Sequence, residues 1–218
     1  MYRRIGREEQ PVAIIEGFAP DPDTLRTAAA GAAFDAAGQH YPGIRAPLPA
    51  GYMQTQLPVI ARAMARNFGR FRRLRVIDAS FSIVTTPAVA LGLRQQVPHV
   101  DAYGAERIAF VHYLSHDALG GTAFYRHRAT GYETIDDSRA PAFFAEVERE
   151  LAGDPPPAGY IAGDTAQFDC IERVDAQFNR AVVYRSFALH SGMIAADAVL
   201  SPNPARGRLT VTGFLAMD

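Results

Sequence analysis

The chain has 218 residues, 48% of them hydrophobic, enough for one sizeable core and too few for several domains. Its 22 basic and 23 acidic residues give no cationic excess for phosphate backbones, so no nucleic-acid partner is expected. One cysteine, Cys170, excludes an intramolecular disulfide and any multi-cysteine metal centre.

In chain order, PVAIIEGF at 11–18 reads as an opening strand. Asp21 before Pro22 is a helix-start signal, and an Ala-rich run carries that helix to about Phe34. GQHYPGIRAPLPAG is a loop by its Pro and Gly content. The wider segment 36–56 has two readings, a lid over a site or a stretch packed against the N-terminal helices. A second helix runs from Leu57 or Pro58 to Phe68, with Ile60, Met64 and Phe68 at helical spacing and Gly69 as its stop. Arg70, Arg72, Arg73 and Arg75 read as a solvated edge.

Beyond Arg73 the apolar period falls to two. Strands are expected at 74–86, 93–100, 107–115, 121–127, 167–174, 179–186, 188–194 and 206–216. Cys170 sits in the alternating FDCIE and reads as a small core residue. One helix interrupts the strands at 141–152, followed by a DPPPAG turn. The N-terminus lacks a signal-peptide run and no segment reaches transmembrane length, so a soluble cytoplasmic protein without a membrane partner is expected.

The pattern predicts a mainly β fold with flanking helices, a sandwich or jelly roll, with an open-sheet α+β fold as the rival. A single domain is expected over 1–218. Residues 1–73 supply a strand and buttressing helices, and 74–218 the β core with a helical insertion near 128–165.

In QQVPHVDAY, strand alternation aims His99 and Asp101 at one point, where an imidazole nitrogen and a carboxylate oxygen can share a divalent cation. One such pair is weak, and a third ligand has to come from a distant strand. His190, in YRSFALHSGMI, is the candidate. His40 lies in a loop, His112 faces away from Tyr113, His116 stands at a turn, and His127 sits in the cationic run RHR; all four are poorer ligands. In ARGRLTVTGFLAM, alternation puts Arg206, Arg208, Thr210 and Thr212 on one face. Inward arginines are costly unless an anion meets them, and Arg suits a carboxylate clamp.

Together these segments resemble the Fe(II)- and 2-oxoglutarate-dependent oxygenases, most closely the prolyl-4-hydroxylase-like branch, from about residue 95 to 216. PHVDAY is similar to the branch's His-x-Asp strand, VHYLS and GGTAFY to its Tyr-Leu-Asn and Gly-Gly segments, and LHSG to its distal-histidine segment. RGRLTVTGF is similar to its final strand, and PVAIIEGFAPDPDTLR to its opening. YPG and GGTAFYRHR also resemble an uncharacterised bacterial family that supplies no substrate.

The resemblance implies a double-stranded β-helix (jelly-roll, cupin-like) core. It implies Fe(II) on His99, Asp101 and His190, and 2-oxoglutarate held by Tyr113 and by Arg206, with Arg208 in reserve. It implies dioxygenase chemistry of the hydroxylase type on a small-molecule or peptide substrate that is not readable; a homo-oligomer is compatible with it. Ser115 departs from the usual Asn, and the insertion of roughly forty residues is unmatched; cover over the site and an oligomer contact are its two readings. Two other functions stay open: a cupin-type enzyme or binding protein using a metal without redox chemistry, and an interaction module without catalysis.

Overall fold

The structure is a computed structural model that describes residues 1–38, 41–117, 120–156, 158–195, 197–198 and 200–218. Its strands are β1 (Tyr2–Ile5), β2 (Gln10–Ile15), β3 (Asp35–Ala36), β4 (Gly43–Pro47), β5 (Leu74–Val84) and β6 (Arg107–Tyr113). They continue with β7 (Gly121–His127), β8 (Phe168–Asp175), β9 (Ala181–Arg185), β10 (His190–Met193) and β11 (Leu209–Met217). Three helices interleave: α1 (Pro22–Ala30), α2 (Tyr52–Met64) and α3 (Ala140–Gly153).

Two antiparallel sheets face each other, as a jelly roll requires. The larger runs β1-β2-β9-β6-β11-β5-β4-β3 and the smaller β10-β7-β8. Two apolar layers explain why β6 and β9 are buried at nearly every position. On the outer face of the large sheet, Phe81, Ile83, Phe110, Val183 and Val211 meet Ile60, Met64 and Phe68. On its inner face, Val12, Ala109, Val182 and Tyr184 meet Phe124 and Val174 of the small sheet. The insertion covers the other side of the small sheet, where Phe143 and Val147 of α3 pack on Tyr125 and Phe168.

Helix α2 begins at Tyr52, five residues before the expected start, and carries Pro58 inside it. Tyr52, Gln56, Ile60 and Met64 form one buried stripe at four-residue spacing, and that burial outweighs the hydrogen bond Pro58 cannot donate. The helix ends at Met64, while Phe68 is buried in the turn beyond it. Helix α1 stops at Ala30, before Phe34, because Gly31 caps it.

The described part of segment 36–56 shares an apolar cluster with the N-terminal helices, Ile44, Ala46 and Leu48 lying with Ala29 of α1 and Ile60 and Met64 of α2. Its β3 and β4 extend the large sheet, with β4 paired along β5 from Gly43↔Val84 to Pro47↔Ser80. Residues 93–100 are not a strand. Leu93–Gln95 make a 3₁₀ turn, closed by the Gln95 side chain accepting from Gly92 N (3.0 Å), and only His99 forms a bridge. The four arginines at 70, 72, 73 and 75 are exposed as expected, and Cys170 is half-buried beneath α3. No helix among the described residues is long and apolar enough to cross a membrane.

His112 lies on the helix-covered face, fully buried, with Nδ1 3.0 Å from the Tyr52 hydroxyl and Nε2 3.0 Å from Asn179 Oδ1. Burial pulls its imidazole down from 6.5 to about 4. The unfolded chain therefore takes up this proton first. The stability it confers is intact above about pH 6.5 and is lost as pH falls towards 4, on the order of 3 kcal/mol in all. The urea midpoint is expected to drop more steeply between pH 7 and 4.5 in wild type than in His112→Gln; parallel losses would contradict this.

Candidate metal centre

His99 and His190 are brought together by backbone pairing. Each N–H donates to the other's carbonyl at 2.9 Å, so the two residues stand directly opposite on adjacent extended segments. Their rings lie 4.4 Å apart, centroid to centroid. Asp101, two residues on, is held by its own N–H donating to Ser186 O (2.8 Å), and its side chain returns to the same face.

The donor atoms of the three side chains lie within 4.8 Å of one another. Asp101 Oδ1 is 3.8 Å from His99 Nε2, and Asp101 Oδ2 is 3.4 Å from His190 Nε2. Donors about 2.1 Å from one cation at right angles stand about 3 Å apart, so the Asp101–His190 pair is near that spacing and the other two draw in further around an ion. His190 Nδ1 meets the Ala188 carbonyl at 2.9 Å; a carbonyl only accepts, so Nδ1 carries the proton and Nε2 keeps its lone pair for a metal.

Burial holds His190 neutral, pulling its imidazole down to about 4. His99 moves the same way, through burial and then the neighbouring His190, with Asp101 opposing; solvent tempers this, because its side chain is 52% exposed. Burial pushes the Asp101 carboxyl up, while His99 and the Arg45 guanidinium favour its ionised form. Two neutral imidazoles and a carboxylate on one face suit a divalent transition metal with open positions opposite.

Arg206 and Arg208 do not share a strand face. The strand begins at Leu209, and Arg206 is exposed in the preceding turn. Arg208 is buried between the sheets. Its Nη2 donates to Gly121 O (2.8 Å), and its guanidinium carbon lies 5.7 Å from the Tyr113 ring centroid. Tyr113, buried on the inner face, shares a 2.7 Å hydrogen bond with Thr122. Of the two arginines, only Arg208 is buried, beside Tyr113.

Several further residues, outside the predicted ligand set, contribute to the arrangement. Ser115, in the usual Asn position, accepts from Leu209 N (2.9 Å) and donates to Gly207 O (3.0 Å), pinning the backbone on both sides of Arg208. Tyr184 stands 4.7 Å from the His190 ring, and its hydroxyl is pushed well up by burial, then by Asp101 and Tyr113. It therefore lies between the triad and the Arg208 corner. Gly120 (φ +81°) allows β7 its close entry, since a Cβ there would lie 1.7 Å from Met193 O.

The remaining histidines are elsewhere. His127 is buried against α3, its Nε2 2.8 Å from Glu150 Oε2. His116 stacks near Phe178, with its ring 4.1 Å away. His40 lies outside the described residues. Among the described residues, His99, Asp101 and His190 are the only such cluster of metal-binding side chains.

The fold is similar to that of HygX from Streptomyces hygroscopicus, solved with nickel, 2-oxoglutarate and hygromycin B (TM-score 0.56, 10% identity, 96% of this chain and 84% of that one). It is also similar to the non-heme alpha ketoglutarate dependent epimerase SnoN from nogalamycin biosynthesis (TM-score 0.51, 12% identity, 96% and 79%). At these identities the likeness establishes a shared jelly-roll fold. No curated protein matches the chain. Residues 1–215 match a family described as of unknown function, DUF6445.

Proposed function

Taking as premise that this chain belongs to DUF6445, a family of unknown function, we propose that it is an Fe(II)- and 2-oxoglutarate-dependent oxygenase. His99, Asp101 and His190 hold the iron. Arg208, with Tyr113, holds the far carboxylate of 2-oxoglutarate. The observation that carries this reading is a cluster of two histidines and one carboxylate together with an arginine buried between the sheets beside a tyrosine, with Tyr184 near both groups. A metal alone would need no anion clamp.

Bound iron and 2-oxoglutarate would supply, with dioxygen as the oxidant, decarboxylation of 2-oxoglutarate to succinate and carbon dioxide, one oxygen atom ending in succinate and the other oxidising a substrate C–H bond. The chain positions and shields. Arg208 and Tyr113 fix one end of the cosubstrate, and Ser115 fixes Arg208 in turn. Tyr184 and Phe124, 5.1 Å apart in edge contact, close the apolar side of His190 against water. Both histidines are neutral near pH 7 and free to ligate without losing a proton.

We take the outcome to be hydroxylation of a small molecule or peptide. The YLS and GGT segments and the strand-to-helix opening support the prolyl-4-hydroxylase-like branch. HygX, with its bound nickel and 2-oxoglutarate, supports the cofactor pair.

Substrate-free turnover tests this reading. Aerobic protein with Fe(II), 2-oxoglutarate and ascorbate is expected to release succinate slowly, and to stop under argon or with Zn(II) in place of iron. Succinate release that persists under argon would contradict it.

A further inference from the structure

A polar corner on the inner face of the large sheet is left partly unpaired by the chain itself. Strand register builds it: Arg45 on β4 lies opposite Ser82 on β5, and Ser82 opposite Thr210 on β11. The Arg45 side chain runs along β5 until Nη1 is 4.0 Å from Asp78 Oδ2, which carries it past Ser80, the intervening residue on that face. Its guanidinium carbon stands 4.8 Å over the Tyr41 ring.

Among the described residues, seven buried side-chain nitrogen or oxygen atoms lack a hydrogen bond, and three of them, Arg45 Nε, Ser80 Oγ and the Tyr41 hydroxyl, are in this corner. The Ser82 and Thr210 hydroxyls neighbour Tyr41. Although Ser82 Oγ pairs with Thr212 and Thr210 Oγ1 donates to the Ser82 carbonyl, both keep lone pairs for the Tyr41 hydroxyl, so the two donors the chain leaves unanswered are Arg45 Nε and Ser80 Oγ. A buried donor left unpaired costs about 1–3 kcal/mol, so Arg45 Nε and Ser80 Oγ together call for an acceptor from outside the chain. Asp78 does not supply it, being 58% exposed and at the limit of an ion pair with Nη1 rather than Nε. All three groups can donate and one is cationic, so the complement is an oxyanion. The corner lies on the inner face that also carries Tyr113, because Thr210, opposite Ser82 on one side, is opposite Tyr113 of β6 on the other.

Resting on the oxygenase reading, we propose that Arg45, Ser80 and Tyr41 form the subsite for an oxyanion, carboxylate or phosphate, carried by the substrate that is oxidised. Arg208 keeps 2-oxoglutarate, and Arg45 takes the second anion. The substrate class is therefore a small anionic molecule.

Benzoate and phenyl phosphate, which differ in the oxyanion, are the probes. Each is titrated calorimetrically at low salt, under argon, into protein with and without saturating Fe(II) and 2-oxoglutarate. At least one is expected to bind the loaded wild type, the tighter one identifying carboxylate or phosphate. Arg45→Gln is expected to weaken it at least about tenfold, and Ser80→Ala a few-fold, with iron and 2-oxoglutarate affinities within about twofold of wild type. Arg45 lies on a half-buried strand near the sheet edge, and Ser80→Ala removes only a hydroxyl, so both variants are expected to fold. Absence of binding by either probe to loaded wild type, or equal binding to Arg45→Gln, would overturn the subsite. Loss of 2-oxoglutarate binding in Arg45→Gln would also overturn it, by giving Arg45 to the cosubstrate. If wild type takes up no iron or 2-oxoglutarate but binds a probe through Arg45, the oxyanion site stands and the oxygenase reading falls.

Discussion

Arg208→Ala is expected to weaken 2-oxoglutarate binding at least about thirtyfold while leaving Fe(II) affinity within about twofold. The factor follows from the cost of removing one partner from a buried, hydrogen-bonded charge pair, about 2 kcal/mol or more. Arg208 is buried, tied to the Gly121 carbonyl and beside Tyr113, so no exposed side chain can replace it. Arg206→Ala is the control and is expected to change neither affinity, because Arg206 is exposed in the turn before β11. Calorimetric titration of 2-oxoglutarate into the iron-loaded variants reads both. Loss of binding in Arg206→Ala with retention in Arg208→Ala would return the clamp to the residue that the sequence pattern selects.

The second large effect is on the metal. Asp101→Ala and His190→Ala are each expected to lower Fe(II) affinity by more than about 100-fold, since the loss of outer-shell partners alone costs about 10–100-fold. The backbone pairing that places the triad uses main-chain atoms only, His99 with His190 and Asp101 with Ser186. The local fold is therefore expected to survive both substitutions, and unchanged far-ultraviolet circular dichroism would check it. Asp101 supplies the one anionic ligand, and Asp101→Asn keeps the shape and removes that charge; it is expected to fall between wild type and Asp101→Ala. Undiminished iron affinity in His190→Ala would remove His190 from the site.

The parts of this site that were legible in the sequence share one property, a side-chain period set by local backbone. His99 and Asp101 flank one residue in an extended segment, and β7 begins and ends where its alternation does. His190 was visible as the histidine of a short apolar strand following a strand and a turn. Alternation misled where it was carried past the end of pairing. Leu209 pairs with Ile83, one residue before β5 ends at Val84, and Thr210 with Tyr113, the last residue of β6, so Arg206 has no ladder to join. Ser115 then sets the backbone around Arg208, through a contact spanning 92 and 94 residues of chain.

Arg45 and Tyr41 were hidden for a different reason. Their segment is rich in Pro and Gly, and only its pairing with β5, a tertiary event, makes it a strand. Leu93–Gln95 failed as a strand because Gln95 and Gln96 side chains bond locally to Gly92 N and Leu91 O, a competition that residue type alone does not show. The insertion's packing on the outside of the small sheet was equally unreadable, since α3 has an apolar stripe that would suit any covered face.

The most direct measurement is an anaerobic titration of wild-type protein with Fe(II) and then 2-oxoglutarate, followed by visible absorption. A bidentate 2-oxo acid on Fe(II) gives a weak charge-transfer band. The account predicts that the band forms in wild type and Arg206→Ala and is absent, at the same concentrations, in Arg208→Ala. Iron uptake without a band in wild type would contradict the cosubstrate site, and no iron uptake at all would contradict the triad of His99, Asp101 and His190.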